Sequence, residues 1–95
     1  MLKLIWRASA LDELDQIVSY VGGFNIDAAD RLQALAEACA ERLTDHPYLH
    51  RPGRLPGTRE AVIHPNYILV YRVTAEAVEV VNLLHTRRQY PPENH

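Results

Sequence analysis

Three apolar runs follow one another between Gly57 and Pro91, separated only by Pro65-Asn66 and by Thr74 to Ala77. Runs this rich in Val, Ile, Leu and Tyr are strand candidates, and connections this short oblige neighbouring strands to pair antiparallel. The spacing predicts strands over 58–64, 67–73 and 78–85. A period-two count, with the turns setting the register, places Ala61, Ile63, Ile68, Val70, Val81 and Leu83 on one face. Val62, Tyr67, Leu69, Tyr71, Val80 and Leu84 then occupy the other. Both faces are apolar, whereas an antiparallel sheet covered on one side usually shows a polar second side. Such a meander needs two covers.

The first half of the chain supplies one of them. Leu2 to Arg7 reads as a short strand with Leu2, Leu4 and Trp6 on one side. Ser9, with Asp12 three residues on, predicts a helix N-cap. Leu11, Leu14, Val18 and Val21, widened by Ile17, form the apolar stripe of that helix, and Gly22-Gly23 ends it in a left-handed turn. A second helix follows Asn25, with Asp27 and Asp30 near its start and Leu32, Leu35, Ala36, Cys39 and Leu43 as its stripe. Its many alanines fit a closely packed helical hairpin. Pro47 stops it, and HPYLHRPGRLPG crosses as a loop to the meander. The expectation is one α+β domain over residues 1–95, ordered β-α-α-β-β-β. The second sheet face then calls for a partner chain, the alternatives being a homodimer contact, the tail Tyr90 to His95, or the chain's own loop.

Charge narrows the partners. The formal net charge is −2, but residues 1–50 carry four cations against eight carboxylates and residues 51–95 six arginines against four glutamates. A negative chain is a poor fit to bulk electrostatic binding of nucleic acid, which depends on many released counterions. The arginines among the strands still suit a few phosphates or a carboxylate-bearing partner. In the simple register Arg59, Arg72 and Glu79 converge at one end of the sheet and His85 lies at the other. A lone cysteine, Cys39, fits a reducing cytosol, and no run approaches the length of a membrane span.

Several chemistries lack their residues. His46 and His50 are separated by Pro47 and share no helical face, so no metal site or cofactor is expected. Ser9 and Ser19 are the only serines and Cys39 lies on an apolar stripe, which leaves no candidate nucleophile. Metal-free RNA cleavage remains open. It needs an acid, a base and a cation for the phosphorane charge. His85 with Tyr67 or Tyr90, and Arg59, Arg72, Arg87 and Arg88, are the residues of the right type. A plain interaction module stands beside that reading.

Four words in order, HPYL at 46–49, GTRE at 57–60, HPNYILVYRV at 64–73 and VEVVNLLHTRRQYP at 78–91, resemble the ParE/RelE superfamily of small bacterial toxins. The resemblance implies a toxin of a type II toxin–antitoxin module, wrapped and neutralised by a cognate antitoxin. RelE-like members are ribosome-dependent mRNA endonucleases, commonly rich in lysine; ParE-like members poison DNA gyrase. With one lysine and a negative total, this chain looks closer to the ParE branch. Under that reading Arg59, Arg72, Arg87, Arg88 and Tyr90 are the candidate target contacts, and Tyr67, Leu69, Tyr71, Val80 and Leu84 of the apolar sheet face are the candidate antitoxin contacts. Under the endonuclease alternative His85 and Arg87 are catalytic, with ribosome and mRNA as partners.

Overall fold

The computed structural model describes residues 2–87. Its elements are β1 (Lys3–Trp6), α1 (Ala8–Gly22), α2 (Ile26–Leu43), β2 (Arg51–Pro52), β3 (Arg59–His64), β4 (Tyr67–Val73) and β5 (Ala77–His85). They form one five-stranded sheet in the order β1-β5-β4-β3-β2, with β1 parallel to β5 and the other neighbours antiparallel. The α+β reading and the order of the long elements are as expected. The two-residue β2, inside the crossing loop, is an addition.

The two helices together bridge β1 to the sheet's other strands. Asn25 caps α2 by accepting the Ala28 N–H at 3.0 Å, and Asp27 sits in its first turn. The start of α1 departs from the expected capping box. The helix begins at Ala8 with no side-chain cap, and the Ser9 hydroxyl instead donates to the Val81 carbonyl at 2.8 Å. Beside it the Arg7 N–H donates to the Val80 carbonyl at 3.0 Å. The serine is drawn to the sheet because β1 ends at Trp6, leaving the far half of β5 with unpaired backbone groups. The Glu13 carboxylate completes that repair, accepting the Leu83 N–H at 3.1 Å and the Asn82 amide at 2.9 Å. At the other end of α1, Gly23 is right-handed (φ −65°), so the expected left-handed turn is absent although the helix does stop there.

Register is where the simple count fails. A one-residue irregularity at Ile63 pairs Ala61 with Leu69 and Val62 with Ile68. Another, at Val81, lets Val70 face Asn82 while Tyr71 faces Val80. Each extra residue reverses the inward side of the strand that follows. The main core therefore contains Ala61, Leu69, Tyr71, Val78, Val80 and Leu83 against Ala10, Leu14, Ala36, Cys39, Ala40 and Leu43 of the helices. Ile68, Val70 and Leu84 lie on the opposite side with Leu55 from the loop.

The expectation of a bare second face is corrected accordingly. Ile68, Val70 and Leu84 are buried, and of the apolar residues placed there Val62 is exposed, at 56%. Of the residues assigned to an antitoxin surface, Leu69, Tyr71, Val80 and Leu84 are buried within the domain and offer no ready docking face, while Tyr67, also buried, borders an open groove. Two helix residues err in the opposite sense: Leu11 and Leu35, expected inside, are exposed.

Replacing Glu13 with Ala would strand the Leu83 N–H behind α1. Loss of one such acceptor costs about 1–3 kcal/mol. Urea denaturation of Glu13→Ala is expected to read a loss of that size, whereas substitution of exposed Asp12 should leave stability nearly unchanged.

Candidate functional site

The two ends of the sheet carry different surfaces. At the β3–β4 turn, α2 and the sheet diverge and leave an open, largely apolar groove of about 640 Å³. Its walls are Ala28, Leu32, Ala34, Leu35 and Ala38 of α2, Val21 of α1 and Tyr67 of β4, with Arg31, His64 and Asn66 as polar margins. The alanines of α2 thus divide. Ala29, Ala36 and Ala40 are buried, while the short side chains of Ala28, Ala34 and Ala38 shape the groove. At the hairpin tip Tyr20 and Phe24 meet edge to face at 5.2 Å, and Phe24 and Ile26 are 79% and 71% exposed. Reading all the alanines as hairpin packing missed this groove; their recurrence on a second helical face was the available signal.

His85 also lies at this end. Its ring sits 5.2 Å from that of Tyr67, and His64 packs on the same tyrosine at 5.7 Å. Each histidine is held by a backbone N–H two residues on: Asn66 donates to His64 Nδ1 at 3.1 Å and Arg87 to His85 Nδ1 at 3.0 Å. With Nδ1 accepting, the neutral ring carries its proton on Nε2. Arg87 is exposed beside His85. Arg88 and Tyr90, further target candidates, lie outside the described residues.

Arg59 and Arg72 are at the opposite end, and they do not converge. Arg59 sits on the helix side opposite Tyr71, whereas Arg72 is exposed on the other side opposite Glu79. Glu79 itself bonds Arg7 at 3.1 Å. Four to five residues of β4 separate these positions from Tyr67, a span of roughly 13–17 Å at strand rise. A phosphorane held at His85 is beyond reach of either guanidinium. Among the described candidates the structure brings together His85, Arg87 and Tyr67, and leaves Arg59 and Arg72 apart.

The Arg59 end is organised by the crossing loop. The Arg59 guanidinium donates to the His50 carbonyl at 2.7 Å and lies 5.0 Å from the centre of the Tyr48 ring. The Tyr71 hydroxyl donates to the Pro47 carbonyl at 2.7 Å from inside the core. Glu60, buried on the other side of the sheet, accepts the Arg54 N–H at 3.0 Å and the Arg54 and Arg51 guanidinium groups at 3.3 Å each. Gly53 and Thr58 close the loop with an N–H to carbonyl bond of 2.7 Å, and a side chain at Gly53 would strike the Thr58 hydroxyl. Gly57, at φ +79°, is the one described glycine that needs the left-handed region. A hollow of about 290 Å³ opens here among Tyr48, Pro52, Gly57, Thr58, Arg59 and Val73.

The electrostatics follow from these contacts. Burial alone would raise the Glu60 carboxyl, but the Arg54 N–H and guanidinium and the Arg51 charge outweigh it and hold it below the ordinary value. His50 is lowered, first by burial and then by the Arg42 charge. Burial pushes the Tyr71 phenol and the Cys39 thiol up. Among the described residues no three histidines, cysteines or carboxylates are grouped to hold a metal ion. No helix among them is long and apolar enough to cross a membrane.

The fold, a helical hairpin on a five-stranded sheet, is shared with known proteins. The family model for the ParE toxin of the type II toxin–antitoxin system parDE matches residues 4–90. Y4kP of Sinorhizobium fredii is 34% identical over 90 residues, covering 94% of this chain and 93% of that protein. Toxin RelE2 of Caulobacter vibrioides is 32% identical over 90 residues, covering 93% and 99%. In fold, a chain of the chromosomal ParDE system of P. aeruginosa superposes with a TM-score of 0.79 at 18% identity, covering 90% of this chain and 96% of that one. The chain belongs to the ParE toxin family, within the ParE/RelE superfamily of type II toxins.

Because the Glu60 carboxyl is lowered in the folded state, its stabilisation is full above the unfolded value near 4.5 and disappears as pH falls through the folded value. Glu60→Gln should remove that acid dependence and cost about 1–3 kcal/mol at neutral pH. Faster amide exchange confined to residues 51–58 is the measurement that checks it.

Proposed function

We propose that this chain is a cytoplasmic toxin that arrests growth by binding DNA gyrase, and that a cognate antitoxin neutralises it by seating an apolar helix in the groove beside α2. The family supplies the class; the separation of His85 from Arg59 and Arg72 carries the choice of mode. A metal-free nuclease needs its cations around the scissile phosphate; of the described candidates Arg87 alone stands beside His85, while Arg51 and Arg54 are paired with Glu60 and Arg59 lies at the far end of the sheet. Exposed Asp12, Asp15, Asp27, Asp30, Glu37 and Glu41 also make the helical side a poor neighbour for RNA phosphates.

The groove suits a helix. Small side chains on α2 admit close approach, and the apolar walls with Arg31 and Asn66 at the margin match the helix-in-groove mode of peptide recognition. Burial of a few anchors there is worth about 1.5–3 kcal/mol each.

One observation favours a second reading, RelE-like cleavage of mRNA on the ribosome. The Arg87 N–H fixes the His85 ring, as an acid–base group requires. Induction in a bacterial host separates the two. The gyrase reading expects lost supercoiling of plasmid DNA with intact transcripts, and a His85→Ala variant as toxic as the parent. Cut transcripts, abolished in His85→Ala, would replace it with the nuclease.

The groove has its own check. Ala34→Arg fills it from the solvent side, where the native residue is exposed. Co-expression with the antitoxin should then no longer rescue growth, with antitoxin affinity reduced at least ten-fold, while induction alone still arrests the cells.

A further inference from the structure

The loop at the Arg59 end has a feature that neither the core nor the groove uses. Tyr48 and Leu49 are adjacent, 66% and 69% exposed, and stand on a loop anchored from several sides. Their backbone is set by others: the Tyr71 hydroxyl on Pro47, the Leu49 N–H on His46, and Arg59 on His50. Polar side chains at 48 and 49 would satisfy the same backbone. Two neighbouring large apolar side chains on a rigid loop are instead the composition of a binding hot spot, in which preorganisation lowers the entropy lost on docking.

The surroundings say what would dock. Residues 42–60 hold Arg42, Arg51, Arg54 and Arg59 against exposed Asp45 and buried Glu60, while the helices carry most of the other exposed carboxylates. Behind Tyr48 the hollow has the Arg59 guanidinium as its cationic wall, kept in place by the His50 carbonyl. We propose that this loop is a second docking surface, separate from the groove, which takes an acidic segment of a protein partner: Tyr48 and Leu49 enter its apolar part and Arg59 meets its carboxylate. The proposal deepens the reading of the chain as a toxin that acts by contact, and makes this loop the side presented to the target.

Nucleic acid fits the same place less well. The Arg59 guanidinium lies against the Tyr48 ring where a base would stack, and Arg51 and Arg54 are paired with Glu60. Leu49 has no counterpart in phosphate recognition, whereas it suits a protein surface. The groove lies beyond the other end of β3, at His64 and Tyr67, so one partner helix seated there leaves the loop uncovered.

The test compares the full chain with Tyr48→Ala and Leu49→Asp, both exposed and expected to keep the parent's circular dichroism and thermal midpoint. Three quantities are read: growth arrest on induction, affinity for purified DNA gyrase holoenzyme at two salt concentrations, and affinity for the co-purified antitoxin. The proposal expects each variant to lose growth arrest and at least ten-fold in gyrase affinity. Binding by the parent should weaken with salt, and antitoxin affinity should stay within two-fold. Loss of arrest in both variants while the parent leaves gyrase untouched would retire gyrase as target and keep the loop as the contact. Folded variants that arrest growth as well as the parent would overturn the loop proposal and leave the toxin reading standing. It would equally fall if the variants lost only antitoxin affinity, or if they lost binding to a DNA or RNA duplex instead.

Discussion

The parallel pairing of β1 with β5 is the constraint from which the rest of this domain follows. Two parallel strands cannot be joined by a tight turn; the chain between them must leave the sheet and return. Here the departing chain forms the α1–α2 hairpin, which lies on one side of the sheet and supplies half of the core. Because β1 is only four residues long, it covers the first half of nine-residue β5 and no more. The helix that leaves β1 then takes over as the hydrogen-bonding neighbour, through the Ser9 hydroxyl and the Glu13 carboxylate. Strand and helix therefore act as one continuous edge, which joins the first residues of the chain to its last described strand.

Much of this was legible in the sequence, and the parts that were not share a cause. Apolar periodicity located both helices and all three long strands, and the second helix does start after Asn25, which caps it. The side of the sheet on which each residue lies was not recoverable by counting. Single extra residues at Ile63 and Val81 carry no composition that distinguishes them from their neighbours, yet they decide that Tyr71 points inward and Val70 outward. That error propagated into function. It made a buried core look like a surplus apolar face, and it drew Arg59 and Arg72 together when they stand on opposite sides. Ser9 misled for a related reason, since a long-range acceptor on β5 competed with the local cap.

The polar residues divide by task in a way their types do not announce. Arg51, Arg54 and Arg59 are fasteners of the crossing loop, with Glu60 as the shared knot on one side and His50 on the other. Of the arginines read from the sequence as target contacts, Arg59 is the one that shares this bracing, and it also lines the hollow beside Tyr48. His85 and His64 are the better-oriented pair, because each Nδ1 is tied down by its own turn. The two ends of the sheet thus differ in kind: one is apolar and roomy, the other polar and braced.

The alternation of alanines along α2 separates two constraints on one helix. Ala36 and Ala40 cannot be enlarged without disturbing the core, but Ala34 and Ala38, two positions away, face outward into free space. Size changes at those outward positions would reshape the cleft while the scaffold beneath stays constant. The shape of the cleft and the integrity of the core are thus governed by different residues of one helix, and either can vary without the other.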